Sequence, residues 1–279
     1  MRQAHNFAYF GTPSVARDTL AALLEQGFTP ALVVTRPDAP QGRGLARAPS
    51  PVKALAEERG IPVLAPERLD GEAVAAIRAY GCAYAVVVAY GKIFPDALIG
   101  AFPQGVVNVH YSLLPRHRGA TPVESALLAG DAATGVTIQK MVPELDAGGI
   151  LARKETPIES TETARELRAR LVALGAELLA ETLPAFARGG LAPAAQDASR
   201  ATHAGKLKKQ DGLLSLDAPA EENWRKYRAY ADTIGTHFFA DGRRVKITAA
   251  SFAGGRFVIE RVIPEGKREM AYADFARGR

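Results

Sequence analysis

The sequence predicts an α/β protein with a doubly wound, mostly parallel sheet at residues 1–188 and a second, smaller domain at 205–279. From residue 5 to about residue 188, runs of β-branched and apolar residues alternate with helical segments, which is typical of strands joined by crossover helices. Residues 189–204 are rich in Gly, Ala and Pro and lack apolar periodicity. We interpret them as a linker between the two domains.

Each element of the first domain is predicted from its apolar pattern. Strands are assigned to runs of β-branched and apolar residues, and helices to apolar residues that recur every three or four positions. Residues 83–89 are continuously apolar or aromatic, which is typical of a strand that helices cover on both faces. The predicted strands are 5–10, 31–35, 62–64, 83–89, 105–110, 135–141 and 149–154. The predicted helices are 14–25, 52–59, 71–80, 122–129 and 163–188.

The second domain is predicted to be a small β domain. Its strand-like segments are 213–216, 236–239, 244–249 and 256–262, with a helix over 221–232. The domain also carries the net charge of +5, because residues 196–279 hold 16 Lys and Arg against 11 Asp and Glu, whereas 1–195 hold 19 of each. A modest basic surplus is compatible with a polyanionic partner.

Composition excludes several classes of protein. With 47% hydrophobic and 23% charged residues the chain is typical of a soluble globular protein. Cys82 is its only cysteine, which excludes an intrachain disulfide and fits a reducing compartment. The longest apolar or aromatic run, 83–90, is too short to cross a bilayer, and the amino terminus lacks the apolar core of a signal peptide. We therefore expect a cytoplasmic protein without a membrane partner.

No nucleotide cofactor is expected. The turn after the first strand, Gly11-Thr12-Pro13, has one glycine where a dinucleotide site requires G-x-G-x-x-G, and the chain contains no P-loop motif. No Cys-based metal site is expected either, because a single cysteine cannot supply its ligands.

Three polar side chains are arranged for chemistry: Asn108, His110 and Asp146. Asn108 and His110 are two apart in a strand, so they point to the same face. Residues 113–115 end that strand with a proline, which places both side chains near its carboxyl end, where open α/β sheets bind ligands. Asp146 follows the 135–141 strand and precedes a glycine-rich turn that can aim its carboxylate inward. Three such groups are costly to bury unless they are used.

Residues 36–53, RPDAPQGRGLARAPSPVK, form an unusual basic segment. It contains four prolines, two glycines and four basic residues, with Asp38 as its only acid. Because proline and glycine disfavour regular structure, we predict a long exposed loop near a strand's carboxyl end. Long loops within compact domains are usually functional, so we expect this one to contact a polyanion.

The run N-V-H-Y-S-L-L-P-R-H-R-G-A-T-P at 108–122, followed by A-G-D-A-A-T-G-V-T-I and L-D-A-G-G-I-L, resembles the folate-dependent formyltransferases. The similarity is greatest to those members that formylate methionyl initiator tRNA. The resemblance implies a Rossmann-like catalytic domain, a reduced OB-type β-barrel after it, and a monomer. It also implies that Asn108, His110 and Asp146 are catalytic and that 10-formyltetrahydrofolate is the formyl donor, without a metal.

The resemblance further implies two binding surfaces. The pterin ring of the folate would be held by two turns, whose residues are Ala89, Tyr90, Gly91 and Ile93, and Ser112, Leu113, Leu114 and Pro115. Contacts to tRNA would come from Arg36, Arg43, Arg47, Lys206, Lys208 and Lys209, with Arg43 matching the family's key arginine. The second domain is shorter than the family's usual one, and we expect a strand pair before Arg256 to be missing.

Formyl transfer to an amine requires loss of a proton from the amine, stabilisation of an oxyanion, and a proton for the leaving nitrogen. We hypothesise that His110 and Asn108 donate hydrogen bonds to the oxyanion while Asp146 pairs with His110 and helps to move protons. Two alternatives stay open: a sugar-nucleotide N-formyltransferase, which shares the same frame, and a non-catalytic RNA- or folate-binding module. Phosphoribosyl glycinamide formylation is less favoured, because that family lacks the long basic loop and the second domain.

Overall fold

The computed structural model describes residues 6–41 and 46–278, so Arg43 lies outside the described residues. The chain divides into two compact units. The first comprises the described residues up to Arg118 together with Gly135–Glu155 and Ala169–Thr202. The second comprises Gly119–Thr134, Thr156–Arg168 and the described residues from His203 onwards.

The described strands, in chain order, are β1 (Phe7–Gly11), β2 (Leu32–Val34), β3 (Ala39–Gln41), β4 (Ala46–Ala48), β5 (Val63–Leu64), β6 (Tyr84–Val88), β7 (Gly105–His110), β8 (Arg118–Gly119), β9 (Ala133–Lys140), β10 (Ile150–Pro157), β11 (His203–Ala204), β12 (Thr236–Ala240), β13 (Arg243–Ala253), β14 (Arg256–Pro264) and β15 (Met270–Ala271). The helices are α1 (Ser14–Glu25), α2 (Pro51–Glu58), α3 (Gly71–Arg78), α4 (Asp96–Ile99), α5 (Pro122–Ala129), α6 (Ala164–Ala187), α7 (Ala220–Tyr230) and α8 (Tyr272–Arg277). Within these ranges, no helix combines the length and the apolar character that crossing a bilayer requires.

A seven-stranded sheet carries the predicted α/β architecture. Its strand order is β10-β9-β7-β6-β1-β2-β5, in which β7, β6, β1, β2 and β5 are parallel to their neighbours and β9 runs antiparallel to β7. The chain moves outward from β1 on one side through β2 and on the other side through β6, so the order reverses beside β1. Ligands bind outside the carboxyl ends of the strands at such a point. The prediction of a doubly wound, mostly parallel sheet is confirmed.

Aromatic packing fixes the turn that follows β6. All five residues of β6 are buried, as are all five of the neighbouring β1. The ring of Phe10 lies 5.5 Å from that of Tyr90 and 4.9 Å from that of Phe94, centroid to centroid. These contacts anchor the turn in the core, while Ala89 and Gly91 on either side of Tyr90 adopt positive φ values. The turn is therefore held at the carboxyl edge of the sheet.

The prediction of a loop without regular structure at 36–53 was wrong in one respect, because this segment contains a short hairpin. Strand β3 pairs with β4 in antiparallel register, with Pro40 opposite Arg47. A proline is tolerated here since a two-stranded hairpin leaves half of its backbone N–H groups unpaired. The loop is also braced at its base, where the Lys53 ammonium lies 2.8 Å from the Asp38 carboxylate.

The second unit contains the predicted small β domain as a four-stranded antiparallel sheet, in the order β12-β13-β14-β15. Its core is built from residues of the sheet and of α7, together with the segment before that helix, namely Leu214, Trp224, Tyr227, Phe238, Ala240, Val245, Ile247 and Val262. Strand β13 reaches Ala253, so the residues before Arg256 continue this strand and turn directly into β14.

One strand of the second domain was predicted wrongly. Residues 213–216 form no strand, and only Leu213 makes a single bridge to His237. The carbonyl of Ser215 accepts a hydrogen bond of 2.8 Å from the side chain of Asn223. The Ser215 carbonyl is thus bound by a side chain of α7 and is not available for pairing with another strand. The sequence pattern also did not predict the short elements β8, β11, β15, α4 and α8.

Candidate active site

The site is built on the antiparallel pair of β7 and β9. Asn108 lies opposite Gln139 and His110 lies opposite Thr137. Because residues directly opposite each other in a sheet share a face, four polar side chains lie on one side of this pair. The prediction that Asn108 and His110 point to the same face agrees with this register.

His110 is held in one orientation. Its side chain is 6% exposed, and its Nε2 lies 2.9 Å from the backbone carbonyl of His117. Because a carbonyl oxygen only accepts hydrogen bonds, Nε2 must carry a hydrogen. The other ring nitrogen, Nδ1, therefore faces the carboxylate of Asp146, whose Oδ2 is 3.6 Å away.

The two oxygens of the Asp146 carboxylate contact different neighbours. Its Oδ1 accepts a hydrogen bond of 2.9 Å from Gln139 Nε2 and makes a longer contact of 3.5 Å with Asn108 Nδ2. Its Oδ2 faces His110. Two amide donors thus anchor one oxygen and leave the other for the imidazole, so the structure brings the three predicted catalytic side chains together.

The backbone after β9 must pass close to that strand to deliver Asp146. Asp146 has a φ of 50°, in the left-handed region. At Gly148 a Cβ atom would lie 1.8 Å from the carbonyl oxygen of Lys140, so only glycine fits. The glycine-rich turn after Asp146 is therefore fixed by this close approach.

The loop after β7 is braced internally. The Thr137 hydroxyl donates to the carbonyl of Ser112 at 2.7 Å and accepts from the backbone N–H of Leu114 at 3.1 Å. The Ser112 hydroxyl donates to the carbonyl of Arg116 at 2.6 Å. His117 follows with a φ of 58° and turns its carbonyl towards His110. The loop is therefore part of the machinery that orients the imidazole.

The segment interpreted as an interdomain linker, 189–204, is bound to the first unit over much of its length. Ala194 and Ile150 exchange two backbone hydrogen bonds of 2.7 and 2.8 Å. Gln196 Nε2 donates to the carbonyls of Asp146 and Gly148. Thr202 Oγ1 accepts from the backbone N–H of His117 at 2.8 Å. Within the predicted linker, residues 194–202 are therefore held against the first unit by hydrogen bonds.

The residues predicted to bind folate differ in accessibility. In the turn after β6 the exposed residues are Ala89, Gly91 and Ile93, with Ile93 88% exposed. Leu113 and Pro115 are half-buried, whereas Tyr90, Ser112 and Leu114 are buried. The exposed residues can meet a ligand through their side chains or backbone, and the buried ones support the two turns from beneath.

The residues predicted to bind tRNA are exposed wherever they are described. In the first unit Arg36 precedes β3 and Arg47 lies within β4, and both are exposed. Lys206, Lys208 and Lys209 lie in the second unit, around a short 3-10 helix at Lys209–Gly212. Within residues 6–41 and 46–278, no three His, Cys, Asp or Glu side chains converge as metal ligands.

Sequence reasoning missed Thr137, Gln139 and Gln196. Thr137 and Gln139 alternate with Val136 and Ile138 in β9, and this period of two was a signal that both point to the face of His110. Gln196 had no such signal, because the residues around it lack periodicity.

The sequence matches the family described as formyl transferase over residues 5–183, and the formyl transferase C-terminal domain over residues 206–256. It is 42% identical to the methionyl-tRNA formyltransferase of Methylobacterium sp. (strain 4-46), over 97% of this chain and 95% of that protein. It is 41% identical to the methionyl-tRNA formyltransferase of Halorhodospira halophila (strain DSM 244 / SL1), over 99% and 97%.

Among solved structures, the N-formyltransferase from Helicobacter canadensis in complex with folinic acid and dTDP-3-aminofucose has a TM-score of 0.70. The alignment covers 95% of this chain and 98% of that chain at 16% identity, so the similarity concerns the fold. Both parts of the chain match formyl transferase models, and the relatives align with this chain over nearly their whole length. The chain therefore belongs to the formyl transferase family.

Proposed function

We propose that this protein transfers the formyl group of 10-formyltetrahydrofolate to the amino group of methionyl initiator tRNA, for translation initiation. The observation that carries the proposal is the convergence of Asn108, His110 and Asp146 at the carboxyl edge of the sheet. The acceptor is suggested by the relatives, since those named methionyl-tRNA formyltransferase align with nearly the whole chain, including its second domain.

In the proposed reaction the amine nitrogen attacks the formyl carbon, a tetrahedral oxyanion forms, and the folate nitrogen leaves with a proton. Asn108 Nδ2 donates a hydrogen bond to the oxyanion. Such a donor is typically worth a factor of about 10² to 10³ in kcat. Both ring nitrogens of His110 face other groups, Nε2 the carbonyl of His117 and Nδ1 the carboxylate of Asp146, so the part of His110 is in proton movement rather than in the expected hydrogen bond to the oxyanion. The pair of His110 and Asp146, whose Nδ1 and Oδ2 face each other at 3.6 Å, accepts a proton as the amine loses one and gives it to the folate nitrogen as that nitrogen leaves. General acid and base assistance of this kind contributes about 10² to 10⁴.

The arrangement needs no covalent enzyme intermediate. Cys82 is buried, and burial raises the pKa of its thiol, which disfavours the nucleophilic thiolate. The amine of the acceptor attacks the donor directly, so His110 and Asp146 act only on protons and charge.

The donor site of the proposal lies on the turns that flank β7. A flat heterocycle requires apolar walls and unpaired backbone groups at its edge. The side chains of Ile93 and Leu145 are 88% and 66% exposed, and they lie on the loops after β6 and β9, the two strands that neighbour β7 in the sheet. Together with Ala89 and Gly91 they offer apolar surface and backbone groups on the loops that follow the two strands beside β7.

The basic hairpin supports a polyanionic acceptor. Asp38, the only acid of the segment, is bound to Lys53 by hydrogen bonds of 2.8 and 3.1 Å, which raise the pKa of the Lys53 ammonium. Arg47 donates to a backbone carbonyl, and neither Arg36 nor Arg47 has a carboxylate partner within the described residues. Their positive charges are therefore available to phosphates, and we propose the same for Lys206, Lys208 and Lys209.

The proposal is tested by presenting 10-formyltetrahydrofolate with purified Met-tRNA, and in parallel with dTDP- and UDP-linked amino sugars. We expect rapid, salt-sensitive formylation of Met-tRNA. Transfer to an amino sugar alone would replace the proposed acceptor, and absence of transfer to every acceptor would favour a binding module instead.

A further inference from the structure

We propose that residues 194–202 form a strap that positions the catalytic triplet, and that Gln196 is its central positioning residue. The inference rests on the proposed function, because it assigns a part in formyl transfer to residues that do not touch the substrate. The strap lies between the two ranges that match the family, 5–183 and 206–256. Its role follows from its own contacts with the site.

Gln196 directs all of its hydrogen-bonding capacity to the site. Its Nε2 donates to the carbonyl of Asp146 at 2.8 Å and to that of Gly148 at 2.7 Å. Its Oε1 accepts from Arg118 Nε at 3.1 Å and Nη2 at 2.8 Å. Because carbonyls only accept and a guanidinium only donates, the orientation of this amide is unambiguous. One side chain thus holds the backbone on both sides of Ala147.

Arg118 makes the position of Gln196 rigid. Its side chain is 6% exposed, and the Glu144 carboxylate, which lies 4.0 Å from its Nη1, is itself 78% exposed. The amide oxygen of Gln196 accepts two of its hydrogen bonds in a fork. A buried guanidinium must keep its hydrogen bonds, so Arg118 fixes the amide that in turn fixes Asp146.

The other end of the strap holds the backbone of His117, whose carbonyl faces the imidazole of His110. Thr202 accepts from the N–H of His117 through its hydroxyl and from the N–H of Arg118, at 2.8 Å, through its carbonyl. The carbonyl of His117 is the group that receives His110 Nε2. The strap therefore acts on both members of the His110–Asp146 pair. At one end Gln196 holds the backbone of Asp146, and at the other end Thr202 holds the backbone of His117, which faces His110.

The expected consequence is a loss of geometry without a loss of binding. Asp146 keeps a φ of 50° only while its surroundings hold it there, and its Oδ2 must stay within reach of His110 Nδ1. Without the Gln196 hydrogen bonds the loop can relax and the carboxylate moves. Displacements of about 1 Å in a catalytic group cost on the order of 10²-fold in rate.

The experiment compares Gln196→Met and Gln196→Glu with a matched control, Gln104→Met. Gln104 also donates to a backbone carbonyl, that of Ala187 at 2.7 Å, but it precedes β7 at the end away from His110. Glutamate keeps an acceptor for Arg118 and lacks the N–H groups. We expect both Gln196 variants to lose about 10- to 100-fold in kcat, because the catalytic carboxylate is displaced, with the KM for the folate donor within about threefold of wild type. Gln104→Met should stay within about twofold of the wild-type kcat, because it leaves the catalytic groups in place.

A double-mutant cycle with Asp146→Asn separates positioning from general stability. If Gln196 acts through Asp146, Gln196→Met costs little further rate once Asp146 is replaced, so the two effects are not additive. Full additivity, or a Gln196→Glu variant with wild-type kcat, would overturn the inference.

A second measurement does not depend on activity. The ring nitrogen signals of His110 in NMR spectra should shift in Gln196→Met and stay in place in Gln104→Met. An unchanged His110 spectrum in Gln196→Met overturns the inference, whether or not the wild-type protein formylates Met-tRNA. The wild-type rate alone tests the proposed function, so the two failures are distinguishable.

Discussion

Replacing Arg36 and Arg47 by alanine should weaken tRNA binding and reduce its dependence on salt. Both arginines are exposed and have no carboxylate partner within the described residues, so nothing neutralises them before tRNA arrives. Arg36 lies beside Gly91, at the edge of the sheet where the donor site is proposed. A phosphate bound there would lie beside the turn that follows β6.

The size of the effect follows from the number of phosphates that the two arginines neutralise. Removing one arginine–phosphate pair lowers the slope of log K against log salt by about 0.7 to 0.9, so removing two pairs lowers it by about 1.4 to 1.8. Between about 50 and 200 mM salt the wild-type protein should therefore lose about 7- to 12-fold more affinity than the double variant does.

The assay is a titration of the protein with Met-tRNA at several salt concentrations. Arg59→Ala is the matched control, because Arg59 is an exposed arginine that is already paired with Glu58 at 3.5 Å. Equal slopes for the wild-type protein and the Arg36→Ala, Arg47→Ala double variant would refute the proposed phosphate contacts. A lower slope in the control as well would mean that only net charge matters.

Two further predictions concern stability. Thr163 and Glu166 form a capping box at the start of α6, in which Glu166 Oε2 accepts hydrogen bonds of 2.8 Å from the N–H and from the hydroxyl of Thr163. Thr163→Ala should therefore lower the free energy of unfolding, measured with denaturant, by about 1 kcal/mol. Thr161→Ala is the control and should leave the free energy of unfolding unchanged. Burial, with a smaller contribution from Arg244, lowers the pKa of His237 below its ordinary value of 6.5. The neutral His237 side chain therefore contributes to stability above pH 6.5, and this contribution is lost as the pH falls below that value. Between about pH 7.5 and 5.5 the melting temperature of His237→Phe should decrease less than that of the wild-type protein. Parallel decreases of the two melting temperatures would contradict this prediction.

The arrangement of β7 could be predicted from the sequence because its signals are local. The β-branched run, the two-residue spacing of Asn108 and His110, and the proline at 115 all lie within the short range 105–115. The position of Asp146 near the site was also predictable in outline, since an acidic residue that follows a strand and precedes glycines lies in a turn at the end of that strand. Its left-handed φ and the steric requirement for Gly148 were not, because they depend on the path of β9 beneath it.

The supporting residues could not be predicted because they depend on pairing between distant segments. Gln139 meets Asp146 only through the register of β7 with β9, which is set by tertiary packing. Gln196 reaches the backbone of the same aspartate from 50 positions away in the chain. The hairpin of β3 and β4 was missed for a different reason, since a proline in a two-stranded ribbon removes no hydrogen bond that the ribbon needs.

The central claim is that the pair of His110 and Asp146 moves the proton during formyl transfer. It is tested most directly by the single-turnover rate of Met-tRNA formylation in Asp146→Asn, with donor and acceptor at saturating concentrations. The amide keeps the size of the side chain and an oxygen for Gln139, but it removes the charge that faces His110 Nδ1 at 3.6 Å. We expect a loss of about 10² to 10⁴ in rate with little change in donor affinity. A variant that transfers the formyl group at the wild-type rate would contradict the account.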